Sequence, residues 1–206
     1  MSTLLTPELL LSGYAMGCFP MAEERHSNEI NWYAPDPRGV IPLDQFHTPK
    51  TLRKLVRRCA FSVVSNKDFT GTMLGCAERE NTWISDQIIE AYSALHILGY
   101  AHSIECWQED QLVGGLYGVA IGGAFFGESM FSRVRDASKV ALVHLVHRLR
   151  AKGYTLLDTQ FITPHLVRFG AIEIPKEQYE NELRKAILVN VDPWDHIFEL
   201  NLSNKP

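Results

Sequence analysis

The run from residue 111 to residue 161 constrains this chain most. It carries GGLYGVAIGGAFFGESMFS at 114–132, an apolar stretch whose paired glycines at 122 and 123 signal a hairpin between two strands. A helical pattern follows, with Val140, Val143, Leu145, Val146 and Leu149 apolar. Asp136 or Ser138 is placed to cap its start, and Gly153 to end it. LLDTQF at 156–161 then reads as an apolar strand. Two strands, a helix and a further strand call for a sheet with a helix packed on it.

Both apolar stretches are interrupted by polar groups. Side chains two apart on a strand project from one face, so Asp158 and Gln160 are predicted to be neighbours on one side of their strand. A carboxylate and a primary amide on an apolar strand need partners, which makes the pair either a structural network or a site.

The rest of the chain supplies an α+β order. Residues 6–16 suit a short helix that starts at Thr6 with Pro7 at its first position and ends at Gly17. Residues 19–42 hold Pro20, Pro35, Pro37 and Pro42 with Trp32 and Tyr33, which predicts an ordered, packed loop without regular structure. A strand is predicted over 61–65, a helix over 87–98 stopped by Gly99, and a strand over 102–109. A short helix at 164–169, a strand at 171–174 and a helix at 176–188 follow LLDTQF. At 206 residues, 46% of them hydrophobic, the chain can bury the core of one main domain with a small N-terminal element.

Charge is unevenly spread. Lys50, Arg53, Lys54, Arg57 and Arg58 recur at helical spacing on one face, with Leu52, Leu55, Val56 and Cys59 on the other. Setting these five aside leaves fifteen basic against twenty-four acidic residues in the rest of the chain. No acidic residue lies between Asp44 and Asp68, so the stripe suits either a solvated helix face or a localised phosphate contact.

Several function classes lose their usual support. There is no GxSxG elbow, GxxxxGK[ST] loop or HExxH motif. The glycines at 114, 115, 118, 122, 123 and 127 fit no nucleotide-binding fingerprint and point to strands in close backbone approach. His144 and His147 lack a third ligand nearby, so no metal is expected. Cys18, Cys59, Cys76 and Cys106 are scattered and read as free thiols. No apolar run approaches the roughly 20 residues of a membrane helix, and the first residues lack a basic n-region. No membrane partner and a cytoplasmic location are therefore expected.

Seven blocks carry a resemblance to a known family: YAMGCFP at 14–20, WYAPDPRGV at 32–40, TWI at 82–84, the long block at 114–132, ASK at 137–139, LLDTQ at 156–160 and GAIEIP at 170–175. In this order and at these spacings the chain resembles, over nearly its whole length, the bacterial leucyl/phenylalanyl-tRNA-protein transferases. The resemblance implies a small N-terminal domain, residues 1–34, packed on a larger α/β domain, residues 35–206, like that of the GCN5-related acetyltransferases. It implies transfer of leucine or phenylalanine, and less efficiently methionine, from aminoacyl-tRNA to the α-amine of proteins beginning with arginine or lysine, marking them for degradation by the N-end rule. No cofactor is implied, and a monomer is expected.

The resemblance also assigns roles. Asp158 would orient and polarise Gln160, which would assist deprotonation of the attacking amine, and Glu128 would help hold the substrates. Leu116, Phe125, Met130 and Leu157 match the apolar pocket for the donor side chain. Trp83 matches an aromatic that packs on the terminal adenosine of the tRNA, and the basic helix matches the surface that meets the acceptor stem. Where members often read FPW, this chain has Phe19, Pro20 and Met21, so Met21 stands at an adenosine-cradling position. The chain is also expected to lack the extension that precedes the TPELLLSGYAMG helix in longer members.

The chemistry is intelligible from elementary considerations. An aminoacyl-tRNA is an activated ester, so a positioned amine suffices and no covalent intermediate is required. Gln160 is a very weak base, which leaves open that Asp158 takes the proton. An acyl-CoA N-acetyltransferase is a competing reading, but RVRDASK at 133–139 has no glycine to bring the backbone to a pyrophosphate. A non-catalytic RNA-binding module built on the basic helix, Trp32, Tyr33 and Trp83 is another.

Overall fold

The computed structural model describes residues 5–27, 29–192 and 194. Among the described residues seven strands form one mixed sheet, and two more form a separate hairpin. The fold is α+β. Strands β5 (Ala101–Gln108), β6 (Gln111–Ile121) and β7 (Ala124–Ser132) form an antiparallel meander at its centre, with β4 (Ser62–Ser65) at one edge. Helix α5 (Ala137–Ala151) then crosses to β8 (Leu156–Gln160), which runs parallel to β7. Beyond β8 lie β3 (Arg38–Val40) and β9 (Ile172–Ile174), both antiparallel to their neighbours.

Two apolar cores lie on this sheet. One gathers α1 (Pro7–Ala15), α3 (Phe69–Ala77), α4 (Asp86–Ile97) and α7 (Lys176–Ala186) around Tyr117, Val119, Phe126 and Phe131. The other packs α5 and α2 (Lys50–Arg57) against Leu116, Ala120, Phe125 and Leu157. The glycines of β6 serve this layering: a Cβ at Gly118 would stand 2.2 Å from the Phe126 carbonyl oxygen and one at Gly115 2.7 Å from that of Ile104. Among the described residues no helix is long and apolar enough to cross a membrane.

The N-terminal segment departs from expectation. Residues 19–42 are not an irregular loop; they contain β1 (Phe19–Ala22), β2 (Ile30–Tyr33) and β3. Proline is compatible with a strand that is paired on one side only, and β1 pairs only with β2, so Pro20 interrupts no ladder. Pro35 and Pro37 fall between β2 and β3, while Pro42 follows β3. The α1 prediction stands: Thr6 Oγ1 accepts from Leu9 N at 3.3 Å and Pro7 opens the helix. Trp32 of the hairpin lies on α1, where its ring leaves no room for a Cβ at Gly13.

Two local expectations also change. Helix α3 was unforeseen because FTGTMLGCA carries two glycines, which lower helix propensity. Tertiary packing overrides that preference: Gly75 lets the Phe131 ring approach to where a Cβ would be 2.6 Å away. At the start of α5 neither Asp136 nor Ser138 caps the helix with its side chain. Asp136 takes Lys139 as its partner, while Ser138 N donates to Ser132 Oγ at 2.9 Å.

Candidate active site where two strands part

The pairing of β7 with β8 ends at Phe126 and Asp158. Each strand is irregular just beyond that point. On β7, Tyr117 faces Ser129 and Gly118 faces Gly127 across the ladder, which leaves Glu128 as an extra residue. On β8, Val40 of β3 faces Asp158 and Gly39 faces Gln160, which leaves Thr159 unmatched. These are bulges, and a bulge re-aims side chains that regular alternation would hold in the sheet. Gln160 completes the break with a left-handed backbone, φ +64°.

The predicted alignment of Asp158 and Gln160 on one face is therefore replaced by another arrangement. Asp158 is fully buried and does not line the cavity between the strands, whereas Gln160 does. Their contact runs through the backbone, with Gln160 N donating to Asp158 Oδ1 at 2.7 Å. The Gln160 amide instead donates from Nε2 to Glu128 Oε1 at 2.9 Å.

Asp158 is saturated with donors. Arg38 grips it with two bonds, Nε to Oδ1 at 3.0 Å and Nη2 to Oδ2 at 2.6 Å. Tyr179 donates its hydroxyl to Oδ2 at 2.6 Å. Arg38 is itself buried, donates from Nη1 to the Gly17 carbonyl at 2.9 Å, and lies over the rings of Phe19 and Tyr179 at 4.8 and 4.5 Å. The planar guanidinium suits such bidentate pairing between stacked rings. This ion pair ties α1, β3, β8 and α7 together and fixes the backbone from which Gln160 projects.

Glu128 has a different environment. Its Oε1 accepts from Tyr14 at 2.7 Å as well as from Gln160, and Tyr92 reaches Oε2 at 3.4 Å. Tyr14 and Tyr92 also bond to each other through their hydroxyls. Among the described residues no cation touches the Glu128 carboxylate. Burial pushes its pKa up to about 7, against the lowering influence of Tyr14 and Gln160 and with the charge of Asp158 adding to the rise. Burial, reinforced by Glu128, keeps Tyr14 and Tyr92 in their protonated forms.

Glu128 and Gln160 stand at the polar end of a cavity of about 270 Å³. Leu116, Met130 and Leu157 line it together with Leu142 and Leu145 of α5 and Leu166. This volume lies just below the ~300–1,000 Å³ usual for small-molecule pockets and suits one apolar side chain. Phe125 is the exception among the residues matched to this pocket. It is fully buried, packs against Trp194 with ring centroids 5.6 Å apart, and does not line the cavity. Its partner in the parallel ladder is Leu157, so Phe125 lies in the sheet behind the pocket wall.

Met21 and Trp83 line the same cavity. Their strands of chain are joined by a hydrogen bond from Ala22 N to the Trp83 carbonyl at 3.2 Å. Arg79 holds the β7 side by donating to the Met130 carbonyl at 2.7 Å. A second, polar cavity of about 530 Å³ shares Arg79 and Trp83 with the first and carries Glu23, Glu24 and Glu80.

The basic helix α2 stands apart. Lys50, Lys54, Arg57 and Arg58 are exposed and Arg53 is half-buried, while Leu52 and Val56 are buried toward α5. None of the five cations lines the cavity. Among the described residues no three His, Cys, Asp or Glu side chains gather as a metal site.

Four functional candidates were not singled out from the sequence: Arg38, Tyr14, Tyr92 and Tyr179. Arg38 and Tyr14 lie within WYAPDPRGV and YAMGCFP, but nothing in those strings distinguishes a buried partner from a surface residue.

A family profile described as leucyl/phenylalanyl-tRNA protein transferase matches residues 40–184, and one for the N-terminal domain of the same enzymes matches residues 4–36. A leucyl/phenylalanyl-tRNA–protein transferase of Salinibacter ruber is 55% identical over 190 residues, covering 92% of this chain and 84% of the relative. The Cereibacter sphaeroides protein of that name is 56% identical over 183 residues, covering 89% and 86%. That of Herpetosiphon aurantiacus is 55% identical over 188 residues, covering 91% and 97%. With more than half of its length matched by the family profile and these relatives aligned almost end to end, the chain belongs to the leucyl/phenylalanyl-tRNA protein transferase family.

Proposed function

We propose that this chain moves leucine or phenylalanine, and less efficiently methionine, from aminoacyl-tRNA to the α-amine of proteins that begin with arginine or lysine, within the N-end rule pathway. The observation that carries this reading is a side-chain-sized apolar cavity that opens on the Glu128–Gln160 pair. Leucine and phenylalanine gain about 1.5–3 kcal/mol from full burial, whereas a charged side chain would be stranded without a partner. Leu116, Met130 and Leu157 select by that exclusion.

In this reading Glu128 is the group that receives the amine. The reference pKa of an α-amine is about 7.7–8.0, close to the value of about 7 to which burial raises Glu128. Glu128 accepts the proton, and Gln160, whose Nε2 is already given to Glu128, presents its carbonyl oxygen to orient the amine. Asp158, closed off from the cavity and paired with Arg38, positions Gln160 rather than taking the proton.

Met21 and Trp83 cover the terminal adenosine at the cavity's edge, and the cations of α2 meet the phosphates of the acceptor stem. In the adjoining cavity Glu23, Glu24 and Glu80 outnumber Arg25 and Arg79, which favours a cationic first residue in the acceptor. The boundary at residues 34 and 35, the kinship of the larger domain with GCN5-related acetyltransferases, a cytoplasmic location and a monomeric state belong to the same proposal. Support for the kinship is the mixed sheet, clothed on both faces, with α5 between parallel β7 and β8.

The test is transfer of radiolabelled leucine from leucyl-tRNA to matched peptides beginning with arginine or aspartate. Labelling of the arginine peptide alone, lost in Glu128→Gln, is the expected result. No labelling of either peptide by folded protein overturns the reading, and labelling of the aspartate peptide alone overturns the acceptor preference.

A further inference from the structure

Three side-chain polar atoms are buried without a partner among the described residues: the hydroxyls of Tyr117 and Thr159, and Nε2 of His165. All three residues line the cavity that holds Glu128 and Gln160. Burying such groups unpaired is destabilising, and their convergence on one cavity marks it as built for a ligand with polar atoms.

Tyr117 is the most constrained of the three. It is fully buried on β6, and its ring stands edge-on to Phe69 and Tyr92 with centroids 5.9 and 6.0 Å away. It faces Ser129 across the ladder, one residue from the Glu128 bulge. Burial and the nearby Glu128 charge hold its phenol protonated, so it can act only as a donor or a neutral acceptor.

Apart from these three groups, several donors around the site already have partners. Gln160 Nε2 and the Tyr14 hydroxyl serve Glu128, Arg38 serves Asp158, and Arg79 serves the Met130 carbonyl. Aminolysis of an ester needs a free donor. The amine lone pair forms the new N–C bond while the carbonyl π pair moves onto oxygen. That pair then returns and expels the ribose 3′-oxygen, which leaves with the proton given up by the amine. The carbonyl oxygen carries the transient charge, and a preorganised donor in a dry site stabilises it most.

We propose that the Tyr117 hydroxyl donates a hydrogen bond to the carbonyl oxygen of the aminoacyl ester as it becomes an oxyanion, making Tyr117 a catalytic residue. The proton stays on Tyr117 throughout. This rests on the transferase reading above.

The test is Tyr117→Phe, which removes one oxygen and keeps the ring. Transfer from leucyl-tRNA to an arginine peptide is expected to fall about 10²- to 10³-fold in kcat. KM for leucyl-tRNA stays within about twofold, and the melting temperature is not lowered, because the lost hydroxyl had no partner. A second measurement compares two adenosine conjugates of leucine: a planar amide and a tetrahedral phosphonate. Tyr117→Phe is expected to weaken the phosphonate at least tenfold and leave the amide unchanged. Unchanged kcat in Tyr117→Phe, or equal weakening of both conjugates, overturns the proposal while wild-type transfer upholds the reading it rests on. Absence of transfer by the wild type overturns that reading instead.

Discussion

Two carboxylates lie within this site, and their surroundings differ in kind. Asp158 accepts two bonds from Arg38, one from Tyr179 and one from the Gln160 backbone, and is sealed from the cavity. Glu128 is also buried, yet among the described residues it has no cation in contact, takes its bonds from neutral groups and faces the cavity. The first has every lone pair occupied by a fixed partner and is committed to structure. The second keeps its charge at the expense of solvation, so its protonation is poised near neutrality. Saturation by donors, rather than burial, separates the anchoring acid from the one that we propose is reactive.

The sharpest way to break this contrast is Arg38→Met. It leaves Asp158 buried without its cation, with an expected loss of about 3–5 kcal/mol in urea denaturation. Replacing both partners, Arg38→Met with Asp158→Leu, is expected to recover most of that stability but not transfer activity, because Gln160 N loses its acceptor. A double variant as unstable as the single one would show that the pair is not the anchor.

Glu128→Gln should behave oppositely. Transfer is expected to fall 10²-fold or more, while the fold survives. Unfolding comparable to that of Arg38→Met would erase the distinction.

The pH dependence sharpens it further. Burial raises Glu128 from 4.5 to about 7 in the folded protein, so the folded state holds a proton that the unfolded chain has released. Stability of the wild type relative to Glu128→Gln is therefore fullest below about 4.5 and declines as pH rises through about 7. Parallel melts of the two proteins from pH 4.5 to 8 check the sign, and the transfer rate should rise across the same upper range as Glu128 ionises.

The smaller effects lie among the tyrosines. Tyr179→Phe removes a 2.6 Å bond to a charged group and is expected to cost about 1.5–3 kcal/mol. Tyr92→Phe removes a 3.4 Å contact with Glu128 and the hydroxyl bond to Tyr14, both made by a neutral donor, and about 0.5–1.5 kcal/mol is expected. Equal costs in chemical denaturation would mean that the two acids are held alike.

Much of this was legible in the chain itself, for identifiable reasons. The meander, α5 and β8 follow from apolar runs divided by glycines, and α2 from its charge spacing. Asp158 and Gln160 stood out as polar groups in an apolar strand, and Glu128 was assigned through the family resemblance. Their relation did not, because period-two reasoning assumes an unbroken ladder and both strands break it at this point. Arg38 escaped for a different reason: its charge is neutralised by a partner 120 positions away, and no local pattern reports such a pairing. Phe125 shows the converse error, since an aromatic in an apolar strand reads the same whether it walls a cavity or lies behind one.

The bulge at Glu128 has a genetic consequence. Glu128, which we propose receives the amine, is the residue that the ladder between β6 and β7 leaves over, so its place depends on a miscount between neighbouring strands. A one-codon deletion at position 128 would bring the strands back into step and remove the buried carboxylate in the same event. Substitutions can erode this site gradually, but a single in-frame deletion would turn it into ordinary sheet.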